Sequence, residues 1–136
     1  MGLLRWLTKN WAETVTPSHS DLMPMRIDRA KYASSGGLPK LLEAAKNWKV
    51  EATSADGSVL SDRVKPFVKS ATFSAHLTRK TGTVGFIDDI WVWMDEAAEI
   101  PLLQIYSASR LGKGDLGQNR RNILELQKLL QNLAKV

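Results

Sequence analysis

Two runs of strand-forming residues, 84–94 and 102–111, stand only seven residues apart, separated by Asp95-Glu96-Ala97-Ala98-Glu99-Ile100-Pro101. A connector of that length suits a hairpin, so the two strands are expected to lie antiparallel and adjacent. The rest of a 136-residue chain, a length suited to one core, must be arranged around that pair. Upstream, Phe73, Ala75 and Leu77 alternate with Ser74, His76 and Thr78, which reads as a half-buried strand ending at Lys80-Thr81-Gly82. Val50, Ala52 and Ser54 alternate into Ala55-Asp56-Gly57-Ser58, a hairpin-turn signal, and residues 59–64 read as the return strand. His76 falls on the polar face of its strand and reads as a solvated residue, with no partner motif to make it a ligand or base.

Helical periodicity brackets these strands. Leu116, Ile123, Leu126, Leu130 and Leu133 predict a long helix over about 116–134, with Asp115 as its N-cap and Gln118 at the capping-box spacing. Pro39 opens an earlier helix whose buried stripe is Leu38, Leu41, Leu42, Ala45 and Trp48. Leu3, Leu4, Leu7 and Trp11 predict a short amphipathic helix over about 2–14. An extended arm follows to about Tyr32, interrupted at Pro17 and Pro24 and closed by Ser34-Ser35-Gly36-Gly37. The expected fold class is therefore α+β: a mostly antiparallel sheet of four to five strands, with a long C-terminal helix and a helix from the N-terminal half packed on one face. Residues 34–136 form the expected domain, and residues 1–33 the helix and arm that precede it.

Composition removes several chemistries. The chain has no cysteine, which excludes disulfides, thiolate metal sites and a cysteine nucleophile. Its two histidines, His19 and His76, are far apart in sequence, so neither a metal centre nor a cofactor is expected. The formal charge of +5 permits anionic partners without selecting one. The basic residues are spread over several elements without a recognised motif, so nucleic acid is not the expected partner. No stretch approaches the ~20 apolar residues of a membrane-spanning helix. The start lacks a secretory signal pattern, and the expected address is the cytoplasm. Tryptophans beside cations in the first helix leave peripheral membrane contact open.

Gly112, Gly114 and Gly117 spell a nucleotide-binding fingerprint. A dinucleotide site needs those glycines after the first strand of a parallel unit, with a second strand returning and ending in an acid. Here the motif follows the last strand and no strand returns, so the cofactor reading fails on topology. What survives is a small-anion site at a helix N-terminus, using Arg110, Gly117, Asn119 and Arg120, with Asp115 opposing it.

The hairpin register in which Asp95 faces Leu102 sorts the remaining residues by face. One face carries Phe86, Asp88, Ile90, Val92 and Met94 with Leu103, Ile105, Ser107 and Ser109, and the final helix is expected to cover it. Asp88 then lies inside, near Ser107, Ser109 and Asn119; with Asp115 at the cap these residues form a candidate polar lock. The other face carries Asp89, Trp91 and Trp93 with Tyr106, Ala108 and Arg110. Asp88 and Asp89 point to opposite faces and cannot act as an acid–base pair, whereas Asp89 and Arg110 are placed for a cross-strand ion pair. Trp91, Trp93 and Tyr106 form either an exposed interaction face or a surface covered by the N-terminal helix.

Three stretches, Phe86-Ile-Asp-Asp-Ile90, Ser107-Ala-Ser-Arg-Leu-Gly112 and Asp115-Leu-Gly-Gln-Asn-Arg-Arg121, stand in an order that resembles the domain of unknown function 1499 family. The resemblance is specific over residues 84–130 and extends back to about 38. Asn122 stands where an arginine is often expected, and the early segment lacks the cysteine that many relatives carry. The resemblance implies a bacterial or plastid-type protein of unassigned activity and transfers no catalytic residue. Together these readings point to a non-catalytic binding or assembly module, with a protein or a membrane surface as partner. The alternative is an anion-binding protein or enzyme using Asp88, Asp115, Asn119 and Arg120.

Overall fold

The computed structural model describes residues 10–15, 18–81, 85–111 and 117–134. The sheet is built from β1 (Trp11–Glu13), β2 (Met25–Arg26), β3 (Lys49–Ser54), β4 (Phe73–Thr81), β5 (Phe86–Met94) and β6 (Leu102–Ser109). Its order is β1-β6-β5-β4-β3, with β2 also on β6, and every pairing is antiparallel. β4 and β5 pair along their full lengths, from Phe73 opposite Met94 to Thr81 opposite Phe86. β5 and β6 pair from Met94 opposite Leu103 to Asp88 opposite Ser109, the register that sets Asp95 against Leu102.

That register fixes what the helices must cover. Phe73, Ala75, Leu77, Ile90, Val92, Met94, Leu103 and Ile105 are buried on one face. Against them pack α2 (Leu38–Glu43) and α3 (Gln118–Leu129), through Leu38, Leu42, Ile123 and Leu126, with Leu130 and Leu133 beyond the end of α3. Each fully buried leucine contributes about 2 kcal/mol, so this layer supplies most of the driving force for folding. The architecture is α+β, with a mostly antiparallel sheet and a C-terminal helix across it. No described helix is long and apolar enough to cross a membrane.

Several elements differ from the sequence expectation. Residues 11–13, expected at the end of a helix, form a strand; residues 1–9 lie outside the described part. The pairing Trp11–Ala108, Ala12–Ser107 and Glu13–Tyr106 satisfies the β6 edge and drops Ala12 into the core. The expected arm contains β2 and α1 (Arg29–Ser35), whose N-cap Asp28 accepts from the Ala30 and Lys31 amides at 2.9 and 3.1 Å. The expected boundary between 33 and 34 falls inside α1. Gly36 ends α1 with φ 86°, and Gly37 precedes α2 with φ 87° and ψ 173°. Residues 59–64 are turns rather than a return strand, because β3 pairs with β4 instead. α3 begins at Gln118 behind Gly117, whose φ is 83° and which offers no side-chain cap; Asp115 and Leu116 lie outside the described residues.

Candidate functional site

Asp88 and Asp89 divide between the two faces of β5, as neighbours on a strand must. Asp88 is 1% exposed, on the helix side. Its carboxylate accepts from Asn122 Nδ2 at 2.8 Å, and the same amide nitrogen reaches Ser107 Oγ at 3.3 Å. Asn122 Oδ1 in turn accepts from Arg79 Nη1 at 3.1 Å and Gln118 Nε2 at 2.7 Å. One turn earlier on α3, Asn119 Oδ1 accepts from Ser107 Oγ at 2.6 Å. Its Nδ2 donates to Ser109 Oγ at 2.8 Å and to the Asn10 carbonyl at 2.9 Å. Arg79 lies over the Trp48 ring at 4.7 Å and pairs with Glu125 at 2.6 Å. The helix is thereby tied through side chains to β4, β5, β6 and the residue before β1.

Of the residues expected in the polar lock, Asp88, Ser107, Ser109 and Asn119 meet, and Asp115 lies outside the described residues. Asn122 was missed, although it lies three residues beyond Asn119 and beside Ile123, on the stripe the periodicity buries. Arg79 was missed because it sits at the end of a strand read for its apolar alternation.

On the opposite face Asp89 is 8% exposed. Arg110 engages it with Nε and Nη2, both at 2.9 Å, and His76 Nε2 lies 2.8 Å away. Burial pushes the Asp89 carboxyl up, but the Arg110 fork and the His76 ring outweigh it and hold the group below its ordinary 3.8. His76 also stacks on Trp91, with centroids 4.9 Å apart and planes 11° from parallel, so it is an engaged residue rather than a solvated one.

The candidate anion cluster does not converge. Arg110 turns to Asp89 on one face, and Asn119 is spent in the network on the other. Arg120 holds Asp21 with Nε at 3.0 Å and with Nη2, while Gly117 is the N-cap of α3. The same dispersal separates Arg120 from Asp88 and Asn119 in the alternative catalytic grouping. Trp91, Trp93 and Tyr106, considered as an interaction face, are buried. Leu60, Val64, Phe67, Val68 and Ala71 fold over them, and Trp11 stacks on Tyr106 at 6.1 Å. Three large aromatic rings left in water would be an apolar patch the chain can remove by folding its own 55–72 segment across it.

At the far end of β5, roughly 20 Å from Asp88 at strand rise, the surface opens instead. A groove of about 680 Å³ runs between the α1–α2 turn and the ends of β3 and β4, lined by Tyr32, Gly36, Gly37, Ser54, Phe73 and Glu96 among others. A second hollow of about 200 Å³, lined by Ile27, Arg29, Met94 and Pro101, shares Tyr32, Ala33 and Glu96 with the first. Burial raises the Tyr32 phenol, and the nearby Glu96 carboxylate adds to it, so the hydroxyl stays protonated as a donor. Among the described residues no group of three or more His, Asp or Glu side chains is placed to hold a metal ion.

The family described as Protein of unknown function (DUF1499) matches residues 12–130, which takes in the sheet from β1 to β6 and all of α3. The chain belongs to this family. No curated protein and no solved structure matches the chain. Within this DUF1499 fold the three stretches that carried the resemblance come together: residues 86–90 on β5, 107–110 at the end of β6, and 117–121 at the start of α3. Their polar side chains bond chiefly to one another and to His76 and Asn122.

Proposed function

We propose that the protein is a non-catalytic binding module, with the network around Asp88 as its scaffold and the groove at the opposite end of the sheet as its ligand site. The carrying observation is the composition of that groove. It has an apolar floor in Phe73 and Met94, two aromatic rings in Tyr32 and Phe73, and one carboxylate among its described lining residues, Glu96, at the point the two hollows share. An apolar pocket with a few convergent polar groups is the usual form of a small-ligand site. Glu96 beside two aromatic rings favours a ligand with a compact apolar body and an amine or guanidinium group.

The network at the other end supports the same reading from the opposite direction. Asp88, Ser107, Asn119 and Asn122 spend donors and acceptors on one another, and a satisfied buried network stiffens a core rather than reacting with a substrate. Titrating ¹⁵N-labelled protein with a panel of small aromatic amines tests the reading. Amide shifts are expected at Tyr32, Gly36, Gly37 and Glu96, and Glu96→Gln is expected to weaken binding by about tenfold, the worth of one charge-assisted bond. Shifts confined to the Asp88 end, or equal affinity in Glu96→Gln, would sink it.

A further inference from the structure

The smaller hollow beside the groove holds two opposite charges that do not neutralise each other. Glu96 and Arg29 both line its space of about 200 Å³, around the apolar surface of Ile27, Met94 and Pro101. Both residues are exposed, and neither takes part in an ion pair with the described residues.

Backbone bonds set where the two charges stand. The Glu96 amide donates to Thr72 Oγ1 at 2.8 Å, and the Ala97 amide to Asp95 Oδ1 at 2.9 Å. Arg29 Nη2 donates to the carbonyls of Ala98 and Glu99, which ties the start of α1 to the turn that carries Glu96. Those acceptors are neutral, so the guanidinium keeps its charge, and its Nε and Nη1 make no hydrogen bond to the described residues. Asp28, Glu99 and Arg26 line an adjoining hollow with Arg29. Asp28 is spent as the N-cap of α1, and neither acid pairs with the guanidinium.

We infer that the ligand is an aromatic α-amino acid, with its ammonium on Glu96 and its carboxylate on Arg29. The inference rests on the reading of the groove as the ligand site and names the class of ligand it takes. The aromatic side chain lies toward Tyr32 and Phe73, in the larger space that Tyr32, Ala33 and Glu96 join to the hollow. Charge complementarity selects this occupant. A plain amine satisfies Glu96 and leaves the Arg29 charge in water. A phosphate or dicarboxylate would satisfy Arg29 and be repelled by Glu96.

Titration of the intact ¹⁵N-labelled protein with phenethylamine, phenylalanine and hydrocinnamate near neutral pH tests it. These probes share a phenyl ring and carry the ammonium alone, both groups, and the carboxylate alone. Phenylalanine is expected to bind about tenfold more tightly than phenethylamine, the worth of one charge-assisted bond, and hydrocinnamate more weakly than either. Phenylalanine is also expected to add amide shifts at Arg29 and Ala98 to those at Tyr32 and Glu96. Arg29→Gln is expected to abolish the advantage of phenylalanine, because the added carboxylate then meets only Glu96, and to leave phenethylamine affinity unchanged. Arg29→Lys, which keeps the cation, is expected to retain part of the advantage. The wild-type comparison needs no variant, so it decides even where Arg29→Gln disturbs the turn at 95–101. Phenethylamine binding at least as tightly as phenylalanine overturns the inference and leaves the amine reading standing. Absence of binding by all three probes overturns both. An advantage of phenylalanine that survives in Arg29→Gln overturns the inference as well, since the carboxylate is then held elsewhere.

Discussion

Asn122 bonds to Asp88, Ser107, Arg79 and Gln118 through one amide group. Truncating it to alanine removes a donor from a buried carboxylate and an acceptor from a half-buried guanidinium together, and is expected to cost about 3 kcal/mol in urea unfolding. Unchanged unfolding would show the amide to be incidental. Asp89 gives a pH signature. Because its folded-state value lies below the ordinary 3.8, its contribution is fully present above that value and is lost as pH falls through the lower, folded one. Scanning calorimetry of the wild type is expected to show a stability drop below about pH 4 that is shallower in Asp89→Asn; parallel profiles would remove Asp89 as its source. Strand alternation alone placed Asp88 with the serines and Asp89 with Arg110, since period two decides the face of every residue once one register is known. It was blind to Arg79 and Asn122, which enter from other elements and whose contacts depend on tertiary approach. The His76 contact to Asp89 was equally hidden, because the partner lies on the next strand.

At the scale of elements, the α1–α2 corner is where sequence and geometry agree most closely. Gly37 holds φ 87° and ψ 173°, a conformation open in practice only to glycine, and Gly36 sits in the left-handed region that ends a helix. Gly37→Ala is expected to lower stability by about 1–3 kcal/mol, read as a fall in melting temperature. No change in melting temperature would mean that the corner relaxes freely. The long strands and α3 were legible because eight or more residues of consistent period outweigh local noise. The short elements were not. β1 was read as helix because Leu3, Leu4, Leu7 and Trp11 keep a helical spacing, while an open β6 edge waiting for a partner leaves no mark on the sequence. α1 did leave one, the cap Asp28, which was passed over beside Met23-Pro24-Met25. Within residues 59–64, Leu60 and Val64 are buried as part of a lid over Trp91, Trp93 and Tyr106, a fate that composition cannot separate from pairing.

Across the whole molecule, the central strands β4, β5 and β6 are covered by α2 and α3 on one face and by the 55–72 segment on the other, while β3 is exposed. One end is closed by the Asp88 network. The other opens into the Tyr32–Glu96 groove. The family stretches lie at the closed end, where they hold the strands and α3 together. The proposed function separates the Asp88 scaffold from the groove, and Asp88→Asn divides the two. Aromatic-amine affinity and urea stability measured on that one variant are expected to show a stability loss of about 2 kcal/mol with affinity unchanged within about twofold. Full stability with abolished amine binding would contradict it and move the ligand to the Asp88 end.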